Sequence, residues 1–540
     1  MNQIKKVCLS VLLTATTVAA NAGGLLTNTN QNIAFNRMMS REASIGIDGV
    51  YYNPAGVAFM GDGHYLSLNV QMATQSRTID NSYALFGNNT NDNSTSRTFK
   101  GKAFAPIIPS IQYAYNKKGW SFQFNFALTG GGGKCTFDNG LGSFEKIVSE
   151  TAMGAVGLAS AVDNSLNRCL AAYGMGNGQG TKVFTADNVF GSTGSYSFNS
   201  YMRGRQYYYG VSLGVAKKIT DNFSAYVGVR GVYALANYYG YVKDITVGSM
   251  PLYQVLDASK PNSADIELNC DQSGFGVTPM IGVDFKAGRW NFSAKYEFKT
   301  CLRLKNESVN RAPSIGNLAS NLSTSLATQL TSKMTAMGMS QTQAQTYAEA
   351  ITTQTLSDAT VTGTMQSLKS QFDTKLEEAI GEYEDGKKIA GDIPALLTIG
   401  VGYKPIDALR INVGFHWFDD THATSYNDRH KKLSRGTLEY NAGAEYDINK
   451  VVTVSAGWQN TSYGLTDEYM DDKSFVVSSN SAGLGACLHI TKKMSLNVAY
   501  FRTFYNHKKT AETVEATKCT YTSDYTRTND VFGVGLDIKF

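Results

Sequence analysis

The last nine residues alternate without a break. Phe532, Val534, Leu536, Ile538 and Phe540 share one parity, and Gly533, Gly535, Asp537 and Lys539 the other. A period of two belongs to extended backbone, because successive side chains of a strand point to opposite faces. One face of this strand therefore meets an apolar medium and the other does not. A β-sandwich could end in the same way, so the decision rests on whether the pattern recurs and on what the second face carries.

It recurs along the chain. Trp120, Phe122, Phe124, Phe126 and Leu128 alternate with Ser121, Gln123, Asn125, Ala127 and Thr129. Trp290, Phe292, Ala294, Tyr296 and Phe298 alternate with Asn291, Ser293, Lys295, Glu297 and Lys299. Leu409, Ile411, Val413, Phe415 and Trp417 alternate with Arg410, Asn412, Gly414, His416 and Phe418. Charges on the second face exclude the dry core of a sandwich and suit a barrel with a polar lumen and an apolar outer wall. Such a wall averages out along each strand, which is why a chain with 31 Tyr and 26 Phe still has a mean hydropathy of −0.22. The fold expected is all-β: a transmembrane antiparallel β-barrel of about 14 strands, near 64–78, 105–116, 119–130, 203–218, 223–242, 272–286, 289–304, 393–404, 407–419, 434–447, 450–463, 476–490, 494–507 and 528–540. Short links such as Asn116–Gly119, Thr220–Asn222 and Lys286–Gly288 read as periplasmic turns, and the longer alternate links as extracellular loops. Trp120, Phe223 and Trp290 follow such turns, where an aromatic girdle belongs.

The amino terminus adds an address. Lys5 and Lys6 precede a mostly apolar run from Val7 to Ala20, and Ala20-Asn21-Ala22 supplies a cleavage pattern, so residues 1–22 read as a signal peptide. No later stretch approaches the ~18–20 continuous apolar residues of a helical span. The expected location is the bacterial cell outer membrane. The terminal Phe540 strand resembles the signal read by the barrel assembly machinery, making that machinery and outer-membrane lipid the expected partners. A net charge of +5 gives no sign of nucleic-acid binding. No CxxC pair or His-rich cluster marks a metal site, and no cofactor or metal is expected. In an exported chain Cys270 and Cys301, flanking one hairpin, could pair, as could Cys135 and Cys169 within one long loop. Cys487 and Cys519 are expected on opposite sides and unpaired.

Two loops, 131–202 and 306–392, exceed simple turns. The first holds a helix-prone stretch around Val148 to Ala172. In the second, Leu318, Leu322, Leu326, Leu330 and Met334 recur every four residues, followed by Leu368, Phe372, Leu376 and Ile380. The plain expectation is a solvent-facing helical hairpin laying its stripe on the barrel rim; the sharper one is a lid that collects apolar substrate.

Residues 23–62 show no sustained alternation before the barrel domain, 63–540, begins. A barrel of ~8 strands fills with its own side chains and one of ~16–18 leaves an open channel, so fourteen strands enclose space that needs a plug. The amino-terminal segment is the available one. It carries Asn53-Pro54-Ala55 just before the first strand. Pro54 fixes its own φ and turns Asn53 away from helix, freeing the Asn53 amide for a neighbouring backbone. With this triplet, the strand count, the length and the terminal Phe540, the chain resembles the long-chain fatty-acid transporter (FadL) family of outer-membrane proteins. The 306–392 insertion is longer than that family's pattern. The resemblance implies that Asn53, Pro54 and Ala55 form a hatch motif abutting an inward kink of the third strand. The kink is placed at Ala127, Thr129 and Gly130, where glycines permit a bulge.

The implied function is passive transport of hydrophobic compounds such as long-chain fatty acids, by binding in the barrel, hatch rearrangement and lateral exit. An apolar route is required because each exposed methylene costs ~0.8 kcal/mol in water. Ile33, Phe35, Met38 and Met39 are candidate pocket-lining groups, or simply plug packing. Arg37, Arg41, Arg230 and Arg410 are candidates to pair with a carboxylate head, unless lumen acids such as Glu439 or Glu445 already hold them. Two other classes compete: a surface adhesin or receptor using the long loops, and a lipid-modifying enzyme. No motif links the six histidines to a nucleophile, so no enzymatic activity is expected.

Overall fold

In the computed structural model, residues 25–540 are described apart from 26, 176–193, 249, 314–316 and 515–516. The expected signal peptide lies outside the described residues. The sheet closes as a barrel of 14 antiparallel strands. In chain order they are β1 (Gly63–Ser82), β2 (Ser96–Lys117), β3 (Trp120–Phe137), β4 (Tyr196–Lys218), β5 (Phe223–Val247), β6 (Ile266–Ala287) and β7 (Trp290–Glu297, continued by Arg303–Ser308). Then follow β8 (Lys388–Ala390, continued by Leu396–Ile406), β9 (Leu409–Phe418), β10 (Thr437–Asp447), β11 (Val452–Ser462), β12 (Ser479–Thr491), β13 (Met494–Tyr505, continued by Lys508–Val514) and β14 (Cys519–Lys539). Closure pairs β1 with β14, from Tyr65 opposite Lys539 to Ser82 opposite Thr522. Every strand expected from the alternation is present.

Side-chain parity sorts the wall as the sequence requires. Leu68, Val70 and Met72 on β1, Val227 and Val229 on β5, and Phe532 and Val534 on β14 are exposed on the outside. Their neighbours Asn69, Gln71, Arg230 and Asn529 are buried in the lumen. Lys118 and Gly119 both have positive φ (51° and 75°), the type I′ geometry that matches strand twist in a two-residue hairpin. Trp120 and Trp290 sit exposed beside these short turns, Trp290 stacked on Tyr403 at 4.2 Å between ring centroids. The wall is uneven in height. β4 and β5 run 23 and 25 residues, whereas β9, β10 and β11 run 10, 11 and 11. About 9–11 residues suffice to span, so the taller side projects beyond the membrane.

The long loops build a helical layer on the side away from the short turns. The hydrophobic stripe Leu318, Leu322, Leu326, Leu330 and Met334 lies on a helix, Leu318–Ala336, followed by Gln341–Leu356 and Ala359–Ile380. This corrects the expected hairpin on the rim. Among the described residues the loop has three helices, and the stripe is buried in one apolar cluster with Ala344, Ala348 and Ile351 of the second of them and with Leu158, Val162 and Leu166 of a fourth helix (Gly142–Ala172), supplied by the other long loop. A long apolar stripe is buried most completely by another helix of matching period.

The two expected disulfides do not form: Cys135, Cys169, Cys270, Cys301, Cys487 and Cys519 are all free. Cys270 faces Ser308 across the β6–β7 ladder. Cys301 lies seven residues before Ser308, about 23 Å along the strand, far beyond disulfide reach. Cys135 points inward from β3, while Cys169 stands near the far end of a 31-residue helix, which spans about 45 Å.

Candidate functional site

The segment from Thr27 to Met60 fills the lower lumen. Asn32 caps a short helix, Ile33–Met38, its side chain accepting from Ala34 N at 2.7 Å, and Met39 ends it in the left-handed conformation. The plug touches the wall closely. A Cβ on Gly443 or Gly457 would land on the Met38 carbonyl, and one on Gly533 would meet Ile33. Bare backbone at these positions is what lets the plug fit.

Polar groups hold it. Gln71 Nε2 donates to Asn30 O (2.7 Å), and Asn32 Nδ2 donates to Gln112 Oε1 (2.7 Å). Arg37 and Arg41 both bridge to Glu445 of β10, at 2.5 and 3.1 Å, and Arg41 also clasps Asp48 within the plug. His416 of β9 stands between Glu42 of the plug (2.9 Å) and Glu439 of β10 (2.8 Å). Lys295 of β7 donates to Tyr51 O and pairs with Glu297, which also binds Arg230 at 2.7 Å.

The Asn53-Pro54-Ala55 triplet is engaged at three strands. Asn53 Nδ2 donates to Asp284 of β6 (2.5 Å) and to Ser44 O (3.3 Å), and its Oδ1 accepts from Gly56 N. Pro54 O accepts from Gln123 of β3, and Ala55 O from Ser224 of β5, both at 2.7 Å. The triplet thus meets β3 at Gln123. Another part of the plug meets the irregular part of that strand: Thr27 bridges to Gly130, and Asn28 N donates to Thr129 O at 3.0 Å.

That irregularity breaks the wall. Ala127, Leu128, Thr129 and Gly130 are all buried in succession, so β3 leaves its alternation and turns inward. Gly131 has φ 88°, and a Cβ there would stand 2.7 Å from Gln206 O. The β2–β3 ladder is lost between the pairs Lys102–Thr136 and Ile111–Phe126. Pro106 and Pro109 lie in the part of β2 that is unpaired with β3 though still beside β1, and neither has an N–H to donate to a ladder. Sequence reading found the glycines and missed these prolines, whose presence in a central strand was the available signal.

Beside this gap lies one apolar cluster that includes Phe35, Met39 and Tyr52 of the plug, Ala105 and Ile108 of β2, Leu128 and Phe137 of β3, and Phe475. Phe35 stacks on Tyr52 at 5.1 Å. Of the candidate pocket residues, Phe35 and Met39 join this cluster, while Ile33 and Met38 are seated against the wall glycines. Above the plug a cavity of about 600 Å³ is lined by Phe137, Leu141, Met202, Tyr238, Leu304 and Phe475, with Arg77 and Asp420 among its polar lining groups. Asp420 lies in the loop after β9. Burial pushes its carboxyl up to about 6, and one oxygen accepts from Thr437 N while the other has no partner.

The candidate head-group arginines are taken. Arg37 and Arg41 belong to the Glu445 cluster, Arg230 to Glu297, and Arg410 to Glu445 and, through two nitrogens, to Asp447. A different pair, Arg77 of β1 and Arg527 of β14, faces the upper lumen directly opposite one another. Sequence reading did not single them out, although both sit at lumen parity.

No family model matches the chain, and no curated protein matches it in sequence. Solved structures match it in shape over almost its whole length. A FadL homologue from Pseudomonas aeruginosa superposes with a TM-score of 0.58 at 14% identity, over 96% of this chain and 100% of that one. The toluene transporter TodX of Pseudomonas putida aligns at 0.48 and 12% identity, covering 92% and 94%. The toluene transporter TbuX of Ralstonia pickettii aligns at 0.47 and 13%, covering 95% and 99%. The chain is a multi-pass β-barrel of the bacterial outer membrane with its lumen plugged from the amino-terminal end. Its fold is that of the FadL family, as the sequence resemblance implied.

Proposed function

We propose that this protein is a passive outer-membrane importer of hydrophobic compounds, acting by binding and release rather than by catalysis. One observation carries the reading: a buried apolar cluster runs from Phe137 and Phe475 near the cavity down to Phe35 and Met39 of the plug, through an otherwise polar lumen, beside the unladdered stretch of β2 and β3. A water-filled pore would need no such lining. A hydrocarbon chain does, because leaving water is worth about 25 cal/mol per Å² of apolar surface. The cargo binds in the cavity, reaches the β2–β3 gap as Thr27 and Asn28 release Gly130 and Thr129, and exits sideways into lipid. Asn53, Pro54 and Ala55 anchor the plug while its amino-terminal part moves.

The test is uptake of a labelled long-chain fatty acid and of a labelled alkane by cells lacking the gene, cells expressing it, and cells expressing Ala105→Trp. Ala105 is wholly buried in the cluster, so the indole should obstruct the route. Expression is expected to raise uptake of at least one compound, and the variant to cut that gain about fivefold or more while the barrel stays folded. Equal uptake in all three would refute the importer.

A further inference from the structure

Four lumen side chains at the closing seam form a cluster of donors. Gln75 lies opposite Asn529 and Arg77 opposite Arg527 in the β1–β14 ladder. Arg77 Nε and Arg527 Nη2 both donate to the one amide oxygen of Gln75, at 3.2 and 2.8 Å. Arg527 Nη1 reaches Phe475 O at 3.5 Å, and its guanidinium lies 5.2 Å over the Tyr505 ring. Among the described residues no carboxylate lies within ion-pair distance of either arginine. Gln75 Nε2, Arg527 Nε and the Asn529 amide are buried without a hydrogen-bond partner.

The arrangement is costly in itself. Like charges directly opposite on neighbouring strands repel, and a buried charge left unpaired is strongly destabilising. The buried cations lower in the lumen avoid this: Arg37, Arg41, Arg230 and Lys295 each hold an acid. Two guanidiniums and three orphaned polar groups gathered on one patch therefore point to an anion from outside the chain. The patch adjoins apolar Ala73, Ile79, Phe137 and Phe475, so the anion is the head of an amphiphile. Charge decides which head. A carboxylate would neutralise one arginine, whereas a phosphomonoester carries about −1.5 to −2 at neutral pH on three acceptor oxygens. Its geometry matches the guanidinium fork.

We infer that Gln75, Arg77, Arg527 and Asn529 form a head-group site for a single-chain amphiphile bearing a phosphomonoester. That this ligand is cargo rests on the importer reading; that it binds does not.

Equilibrium binding of tetradecyl phosphate, tetradecanoate, tetradecanol and inorganic phosphate to the purified full barrel tests this at pH 7.5. Tetradecyl phosphate is expected to bind about tenfold more tightly than tetradecanoate, since hydrogen bonds to a charged group are worth about 1.5–3 kcal/mol each. Inorganic phosphate should bind weakly, which separates a lipid head from free phosphate. The double variant Arg77→Gln, Arg527→Gln should bring the three amphiphiles within about threefold of each other. Lowering the pH to 5.5 should erode the phosphate preference in the wild type, because the second phosphate pKa is about 6. Equal binding of phosphate and carboxylate heads, or a preference that survives the double variant, would overturn the site. If all three amphiphiles bind alike, the head-group site fails and the importer stands. If none binds and uptake is also absent, both fail.

Discussion

The lower and upper halves of this lumen treat their inward-facing cations in opposite ways. At the level of the plug, Arg37 and Arg41 share Glu445, Arg230 and Lys295 share Glu297, and His416 is bracketed by Glu42 and Glu439. Above the plug, Arg77 and Arg527 face each other with a single amide oxygen between them. Paired charges there anchor one segment of chain to another. Among the described residues the facing ones hold no acid of the chain and reach only neutral groups, the Gln75 amide, the Phe475 carbonyl and the Tyr505 ring. The comparison separates a region built to hold the chain from a region built to hold something else.

That contrast can be broken most forcefully at Glu445. Glu445→Gln leaves Arg37 and Arg41 in the lumen without their shared acid, and removing one partner of a buried ion pair costs about 3–5 kcal/mol. Urea unfolding in detergent should show a loss of that order, with faster trypsin cleavage in residues 27–60. A loss below about 1 kcal/mol would mean that the glycine contacts and neutral hydrogen bonds suffice to seat the plug.

Asn53→Ala should cost less, about 2 kcal/mol, because it strips neutral hydrogen bonds and leaves Asp284 short of a donor. The same unfolding assay reads it, and an unchanged midpoint would remove the triplet from the anchoring set. In the cavity lining, Asp420 contributes through pH. Its carboxyl, at about 6, sits above its ordinary 3.8, so the fold binds the proton more tightly than the unfolded chain does. Stability from this group is present at low pH and lost as pH rises through about 6. Asp420→Asn should therefore gain on the order of 1–2 kcal/mol at pH 7.5 and flatten the pH dependence between about 4 and 6.5. A wild-type curve already flat in that window would contradict the assignment.

The smallest effect carries the opposite sign to the first. Arg527→Gln relieves the facing charges, so the ligand-free barrel should be as stable as the wild type or firmer by about 0.5–1 kcal/mol. A loss comparable to that of Glu445→Gln would show that Arg527 is anchored like the plug arginines, and would erase the distinction between the two halves.

Much of the wall was legible in the sequence because parity is local. Phe532 and Val534 outside with Gly533 and Gly535 inside follows from the period of two, whatever the neighbours are. Lys118-Gly119 declared a hairpin by the same local logic. The candidate site was legible only in part. The glycines at 130 and 131 marked where β3 turns inward, yet the partner at that turn, Thr27 and Asn28 rather than the Asn53 triplet, depended on how the plug threads. Arg230 and Arg410 have lumen parity in the sequence, but which acids they meet, Glu297 for one and Glu445 and Asp447 for the other, is fixed by strand register. The stripe Leu318 to Met334 announced a buried helix face without naming the helix that covers it.

By itself the sequence determined the strand content, the two faces of each strand and which links are tight turns, since these follow from backbone periodicity and turn chemistry. Only the tertiary structure decided which lumen charges meet. Closing the barrel joins the first strand to the last, bringing Arg77 beside Arg527 across 449 intervening positions of chain. No local rule reports such a pairing, because it is set by the register of the whole closed sheet.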